Sequence, residues 1–463
     1  MSGRERAFPV GAKVAVLGLG VSGIAAARLA RTREAEVYAS DAAATPTLVE
    51  AAAGLREEGI EAEAGRHDLD RILACDVVVV SPGIDPTSDV RRAVARAGVR
   101  TMAEVELASR DLEGGIIGVT GTNGKTTTTA LIREVLDGAG VRAAAAGNIG
   151  RPLAEIALED DQPDWTVVEL SSFQLADIER FCPDIGLFLN LAPDHLDRYP
   201  TEASYAADKA RLFWNAGPDS RWVLNADDRG VEALAVGSAG ERYGFSLHAE
   251  CEPGAWLAPD GWLRARLPGR DEDWGTAGAL GVGGPHNVAN ALAAGLAAAL
   301  VGVPAAGIRS GLAGFRGLPH RLQTIGERDG VRWVNDSKAT NLAAARVAIE
   351  SFASPLVVIL GGRHKGEDYA GLAESLGQRA RAVVALGEAA DRIESALAPT
   401  VPVHRAGAMD AAVVRAAELA RPGDVVLLSP ACSSYDMFRS YAERGEAFER
   451  AFAALPDGLG RAG

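Results

Sequence analysis

A three-domain α/β protein with mostly parallel sheets is predicted for this chain by three observations. First, three blocks each carry an apolar strand followed by a glycine turn: KVAVLGLGVSGIAAARLA from Lys13, IIGVTGTNGKT from Ile116, and LVVILGG from Leu356. Second, the further strands within the blocks (DVVVVSPGI, WTVVELSSFQL, IGLFLNL, AVVALG, DVVLLSPACSS) are continuously apolar rather than alternating. That is the pattern of parallel strands covered by helices on both faces. Third, 463 residues exceed what one ordinary core serves. Boundaries near Ala103 and Gly317 give segments 1–103, 104–317 and 318–463.

Composition narrows the class. With 48% hydrophobic and 24% charged residues the chain reads as globular, and a formal charge of −15 argues against nonspecific nucleic-acid binding. Cys75, Cys182, Cys251 and Cys432 are widely spaced with no C-x-x-C pair, as in a reduced cytoplasmic protein. The start, MSGRERAFPVGAK, lacks the apolar centre of a signal peptide. The uncharged run from Ala291 to Ile308 is about as long as a membrane span, but it is mostly alanine and glycine and contains Pro304. A buried helix ending near Val303 is expected instead, with no membrane association.

In the first block, Gly18-Leu19-Gly20-Val21-Ser22-Gly23 matches G-x-G-x-x-G, and Asp41 closes a second strand. The turn predicts a Rossmann-like fold and suits any pyrophosphate without naming one. In the second, Gly121-Thr122-Asn123-Gly124-Lys125-Thr126-Thr127 follows a β-branched strand and opens a helix. Free N–H groups and the helix start make an anion site, Lys125 adds a point charge, and the Thr126 hydroxyl suits Mg²⁺. The strict phosphate-loop pattern wants a glycine where Val119 stands.

Glu169 ends an apolar strand, where a magnesium ligand belongs in such a domain, although a carboxylate there can also simply face water. The DHLD run presents Asp194, His195 and Asp197 without zinc spacing. Lys209, in YAADKARLF, reads by itself as a surface lysine on a helix. Asn287 and Asn290 sit three apart on one face of a helix start, and N-capping accounts for one of them more readily than both. From about Arg242 to Gly284, turns and short alternating segments predict a small antiparallel excursion. In the third block, GLPHRLQ, VNDSKATN, LGGRHKG and SPACSSYDMF each set polar groups after an apolar or glycine-containing segment.

Taken in order, GTNGKTT, GNIG, ELSSFQL, DHLDRYP with a following lysine, GPHNVANALAA, GLPHR, NDSKATN, LGG and LSPACSSYDMF resemble the Mur ligase family over essentially the whole length, and within it the D-glutamate-adding branch. In that family the loop is G-T-N-G-K-[ST], so the absent early glycine is normal. The resemblance implies ATP-driven amide formation through an acyl phosphate, joining D-glutamate to UDP-N-acetylmuramoyl-L-alanine for peptidoglycan synthesis. It implies a first domain for the UDP substrate, a central ATP-binding domain and a third domain for the amino acid. Lys125 would neutralise the transferring phosphoryl group. Thr126 and Glu169 would hold one Mg²⁺, and His195 and Lys209 a second, with Lys209 carbamylated by CO₂ because an ammonium would repel the metal. Asn287, Asn290, Arg321 and Asp336 join the loop at ATP.

Gly20, Val21, Ser22, Asp41, Ser81, Gly83, Asn148, Ser171 and Gln174 fall to the UDP substrate. Ala42 and Ala43 stand where polar and basic contacts to UDP can occur in relatives. Lys338, Thr340, Lys365, Ser434 and Tyr441 fall to D-glutamate, whose carboxylates suit two lysines and two hydroxyls. A monomer acting on small molecules is expected. Another Mur ligase, or a folylpolyglutamate synthase, would share much of this pattern. An NAD-dependent oxidoreductase explains only the first forty or so residues, and a non-catalytic nucleotide switch leaves Glu169, His195 and Lys209 unused.

Overall fold

A computed structural model describes residues 6–148, 150–194, 199–364 and 368–456. The chain forms two compact units, Met1–Phe315 and Arg316–Gly463. Among the described residues, strands assemble into sheets of five, nine and six, the first two in the first unit.

The five-stranded sheet runs Glu61–Ala64, Glu36–Asp41, Lys13–Leu17, Val77–Val80, Arg100–Ala103, and every pairing is parallel. Order reverses beside Lys13–Leu17, so the crevice for a ligand opens past the ends of Lys13–Leu17 and Val77–Val80. Val77–Val80 is buried throughout, as a strand covered on both faces must be. The glycine turn has a packing cause. A Cβ on Gly23 would sit 1.8 Å from the Gly18 carbonyl oxygen, so only glycine lets helix Val21–Thr32 start this close to its strand.

The nine-stranded sheet runs Arg270–Thr276, Trp262–Leu267, Gly254–Leu257, Glu241–Ser246, Arg221–Asn225, Ile185–Phe188, Gly115–Thr120, Trp165–Glu169, Ala143–Gly147. The expected antiparallel excursion is present but starts later than Arg242. Glu241–Ser246 and Gly254–Leu257 join the central sheet in parallel, and Gly254–Leu257, Trp262–Leu267 and Arg270–Thr276 then pair antiparallel. Alternation in WLRARL marks a strand correctly; its partners are the strands on either side of it in the chain, and the three continue the central sheet at its edge. The alanine-rich helix Pro285–Val301 packs against this sheet and stops at Gly302, whose φ of +110° is the left-handed C-terminal conformation. No described helix is long and apolar enough to cross a membrane.

Two buried carboxyls fasten helix Glu104–Ser109, which joins the two sheets. Glu106 accepts the backbone N–H groups of Glu179, Arg180 and Phe181 at 2.9, 3.0 and 2.8 Å and pairs with Arg110. Glu104 accepts from the Ala154 N–H at 2.6 Å, but its second oxygen has no partner. Burial pushes the Glu104 carboxyl up to about 7. The folded chain therefore holds a proton that the unfolded chain releases near pH 4.5, and stability falls as pH rises toward 7, by up to about 3 kcal/mol. The wild-type denaturation midpoint is expected to drop between pH 5 and pH 7.5, and Glu104→Gln to flatten that drop. An unchanged slope in the variant would refute it.

The second unit carries the order Gln323–Arg328, Val331–Asn335, Val425–Leu428, Leu356–Gly361, Ala380–Leu386, Val403–Ala406, parallel except for the first pair. Its core lies on both faces of the buried strands Leu356–Gly361 and Val425–Leu428.

Candidate active site

The turn 121–124 links strand Gly115–Thr120 to helix Lys125–Gly138. Gly121 and Gly124 take φ of +146° and +83°, and a Cβ on Gly124 would meet Asn290 Oδ1 at 2.5 Å. Both glycines are thus required by backbone conformation, and Gly124 also by its neighbour. Asn190 braces the loop: its carbonyl accepts the Thr122 N–H at 2.9 Å, and its side chain accepts from the Asn123 N–H at 2.7 Å and donates to the Asn123 carbonyl at 3.1 Å. The Thr122 hydroxyl donates to the Ala192 carbonyl at 3.1 Å and lies 3.2 Å from the Tyr205 hydroxyl. Lys125 Nζ folds over the turn, donating to the Gly121 and Thr122 carbonyls at 2.9 and 2.8 Å. Thr126 and Thr127 are buried in the first helical turn.

Beside this loop stand a carboxylate and an amine that are both out of water. Glu169 ends its strand 3% exposed; Oε1 accepts from Asn148 Nδ2 at 3.0 Å, whereas buried Oε2 has no partner. An unpartnered carboxylate oxygen is costly to bury, and a cation is what it suits. Lys209 is 1% exposed and no surface lysine. Its Nζ donates to the Gly121 carbonyl at 2.8 Å and lies 4.9 Å from the centre of the Tyr205 ring. Burial, then the charge of Lys125, drives its pKa well below the ordinary lysine value, with Asp194 and Glu169 opposing. His195 and Asp197 lie outside the described residues. Neither asparagine caps helix Pro285–Val301, whose N-cap is Gly284. Asn287 donates to the Gly283 carbonyl at 2.7 Å and accepts from Asn290 at 3.4 Å, which turns buried Asn290 toward the Gly124 turn.

A cavity of about 400 Å³ opens between the five-stranded and nine-stranded sheets, and Ser81, Arg91, Phe173, Gln174 and Tyr199 line it. Ser81 Oγ, Arg91 Nη1 and Gln174 Nε2 are buried there without a partner. Three unsatisfied hydrogen-bonding atoms around one cavity mark a place for a polar ligand. Ser171 and Gln174 form a capping box at helix Ser172–Ala176, which uses Ser171 locally and leaves the Gln174 amide nitrogen for the cavity. Arg91 is held by Asp177 at 2.9 Å. Asp41 spends its carboxylate on the Leu19 and Ala43 N–H groups at 3.0 and 2.9 Å, shaping the glycine turn. Gly20 caps its helix, Ser22 is part-buried, Val21 is exposed, and Gly83 has open space around it.

In the second unit, Asp336 follows strand Val331–Asn335 and accepts from the Leu322 N–H at 3.2 Å and the Ser429 hydroxyl at 2.9 Å. Burial pushes it up to about 7, with nearby Arg321 opposing. Lys338 Nζ lies 5.9 Å from the Tyr441 ring centre, and the Thr340 N–H donates to the Lys338 carbonyl at 2.9 Å. Ser434 is buried, Tyr441 is partly exposed, and Lys365 lies outside the described residues. Sequence reasoning missed Asn190, Arg91, Tyr199 and Tyr205. Only Asn190 carried a signal, as the polar end of LFLN in a block with a phosphate loop.

Family models match three stretches: Mur ligase MurD-like, N-terminal domain (12–103), Mur ligase middle domain (119–298), and Mur ligase, glutamate ligase domain (320–432). The chain is 43% identical to a UDP-N-acetylmuramoylalanine--D-glutamate ligase of Acidobacterium capsulatum over 95% of each chain. It is 44% identical to the protein of that name from Anaeromyxobacter dehalogenans, over 95% of this chain and 97% of the relative. The fold is similar to that of a pseudomurein peptide ligase type C from Methanothermus fervidus (TM-score 0.58, 19% identity, covering 95% of this chain and 100% of that one). It is also similar to that of a UDP-N-acetylmuramate-alanine ligase from Thermotoga maritima (TM-score 0.57, 20% identity, covering 96% and 100%).

Proposed function

Since this chain belongs to the Mur ligase family, we propose that it joins D-glutamate to UDP-N-acetylmuramoyl-L-alanine at the expense of ATP. The observation that carries this reading is the set formed by the 121–126 loop, the unpartnered Glu169 oxygen and buried Lys209. Together they provide what phosphoryl transfer to a carboxylate needs, namely an anion cradle, charge neutralisation and a cation site, with no protein nucleophile.

A substrate carboxylate oxygen bonds to the γ-phosphorus of ATP as the bond to ADP breaks. The amine of D-glutamate then attacks the acyl carbon, loses a proton, and phosphate leaves. The loop N–H groups and Lys125 hold and neutralise the phosphoryl oxygens. Thr126 and Glu169 fit one Mg²⁺, since a hydroxyl and an unsatisfied carboxylate oxygen are hard oxygen donors. A second Mg²⁺ is assigned to His195 and to Lys209 as its carbamate: the neutral Nζ amine adds to CO₂ and loses a proton, turning a buried amine into an anion. When bound, the metal ions neutralise the phosphate charge.

The segment 1–103, with Gly20, Val21, Ser22, Asp41, Ser81 and Gly83, is assigned to the UDP substrate, together with Asn148, Ser171 and Gln174. Asn287 and Asn290 of segment 104–317, with Arg321 and Asp336, go to ATP. Within segment 318–463, Lys338, Thr340, Lys365, Ser434 and Tyr441 go to D-glutamate. We place the enzyme in the cytoplasm, where free thiols such as its four cysteines persist, and expect it to act as a monomer.

The test is phosphate release with Mg²⁺, ATP and UDP-N-acetylmuramoyl-L-alanine across a panel of amino acids. D-Glutamate-dependent release with a UDP-muramoyl dipeptide as product is expected. Release driven by another amino acid would move the doubt to Lys338, Lys365 and Ser434, and none with any acceptor would sink the ligase assignment.

A further inference from the structure

Helix Tyr441–Ala453 carries an arginine that the proposed reaction does not use. Arg444 is 1% exposed. Nε donates to Ser337 Oγ at 2.9 Å, Nη2 to the Ser337 carbonyl at 2.8 Å, and Nη1 to the Cys432 and Gly361 carbonyls at 3.0 and 3.4 Å. Every hydrogen-bond acceptor is neutral; the Asp436 carboxylate acts on the guanidinium through its charge, with no hydrogen bond or ion pair between them among the described residues. Burial lowers its pKa to about 10, which leaves it charged at neutral pH. A buried guanidinium bonded to no carboxylate is expensive, and its field is screened little.

Its position explains other features of the third block. The three segments it ties together follow the C-terminal ends of strands Val331–Asn335, Leu356–Gly361 and Val425–Leu428, where ligands of parallel sheets bind. They carry Lys338, Thr340 and Ser434. A Cβ on Gly362, whose φ is +137°, would sit 3.0 Å from Arg444 Nη1 and 2.2 Å from the Ser433 carbonyl oxygen. The second glycine of LGG is therefore the residue that lets the chain wrap the guanidinium. A Cβ on Gly445 would strike His320 Nδ1 at 2.2 Å, so the E-R-G triplet also seats the helix start against His320, whose carbonyl accepts the Lys338 N–H at 3.0 Å.

We propose that Arg444 is the positioning residue of the amino-acid site: it locks the three loops together, and its positive charge, bonded to no carboxylate of the protein, favours the carboxylates of the incoming amino acid. This rests on the assignment of D-glutamate to the third block. The test uses the full-length enzyme as wild type, Arg444→Met and Arg444→Lys, with KM measured separately for D-glutamate, ATP and UDP-N-acetylmuramoyl-L-alanine. Arg444→Met is expected to raise KM for D-glutamate about tenfold or more, the scale of losing one charge-assisted interaction, with the other two KM values nearly unchanged. Arg444→Lys, which keeps the charge but cannot span three loops, is expected to recover most of that loss.

A purely structural clamp would leave the lysine variant as impaired as the methionine one, and that result would overturn the charge role. An unchanged KM for D-glutamate, or equal changes in all three, would overturn the proposal altogether. If Arg444→Met does not fold, the lysine variant decides: a modest rise confined to D-glutamate supports the proposal and a uniform loss refutes it. A wild type that uses only a different amino acid would overturn the proposed acceptor instead, and the same measurements with that amino acid would then decide the role of Arg444.

Discussion

Replacing Lys209 by alanine is expected to lower acceptor-dependent phosphate release by about 10³-fold, the scale on which removing a preorganised charge acts in phosphoryl and acyl transfer. The amine is 1% exposed, lies against the Gly121 carbonyl at the mouth of the phosphate loop, and shares that region with Lys125. Two ammonium groups this close repel each other, and burial adds to the cost. A lysine confined there has reason to be neutral, and a neutral amine is what adds CO₂. Bicarbonate or short carboxylic acids, standing in for the carbamate, are expected to restore part of the activity of Lys209→Ala. Nearly full activity in the variant would sink the carbamate assignment. Loss without rescue by any small anion would leave Lys209 important as an amine and remove the anionic role.

Glu169→Gln is expected to cost about 10²–10³-fold in turnover and to raise the Mg²⁺ concentration needed for half-maximal rate, since one hard oxygen ligand loses its charge. The substitution keeps the shape and the acceptor for Asn148 Nδ2, so it isolates the charge. Stability provides a second, opposite readout. In the free protein Glu169 Oε2 is buried with nothing to bond, so removing the charge is expected to leave the melting temperature equal or higher while activity falls. A carboxylate serving only the fold would give the reverse: lower stability with an unaltered Mg²⁺ titration.

Much of this was legible along the chain because the relevant constraints are local. Gly121 and Gly124 are demanded by positive φ, Gly23 by the approach of a helix to its own strand, and Glu169 is placed at a strand end by the apolar run before it. Less legible were residues whose role depends on distant partners. Asn190 braces a loop 67 residues before it, and Arg91 meets Asp177 across 86 residues. In AERGEAF, Arg444 reads as one more charged residue on an amphipathic helix. Its burial follows from loops that arrive 83 and 107 positions earlier.

Sequence by itself therefore determined the class of fold, the phosphate loop and the order of motifs, because periodicity, glycine conformation and strand-end placement act over a few neighbouring residues. Tertiary structure alone decided which polar groups lose water. Lys209 and Glu169 differ from ordinary surface charges only in what packs over them, and the segment from Arg242 extends the central sheet because its hydrogen-bonding partner is the strand Arg221–Asn225. Desolvation is a property of the assembled neighbourhood, and it is what turns a lysine and a glutamate into a candidate cation site.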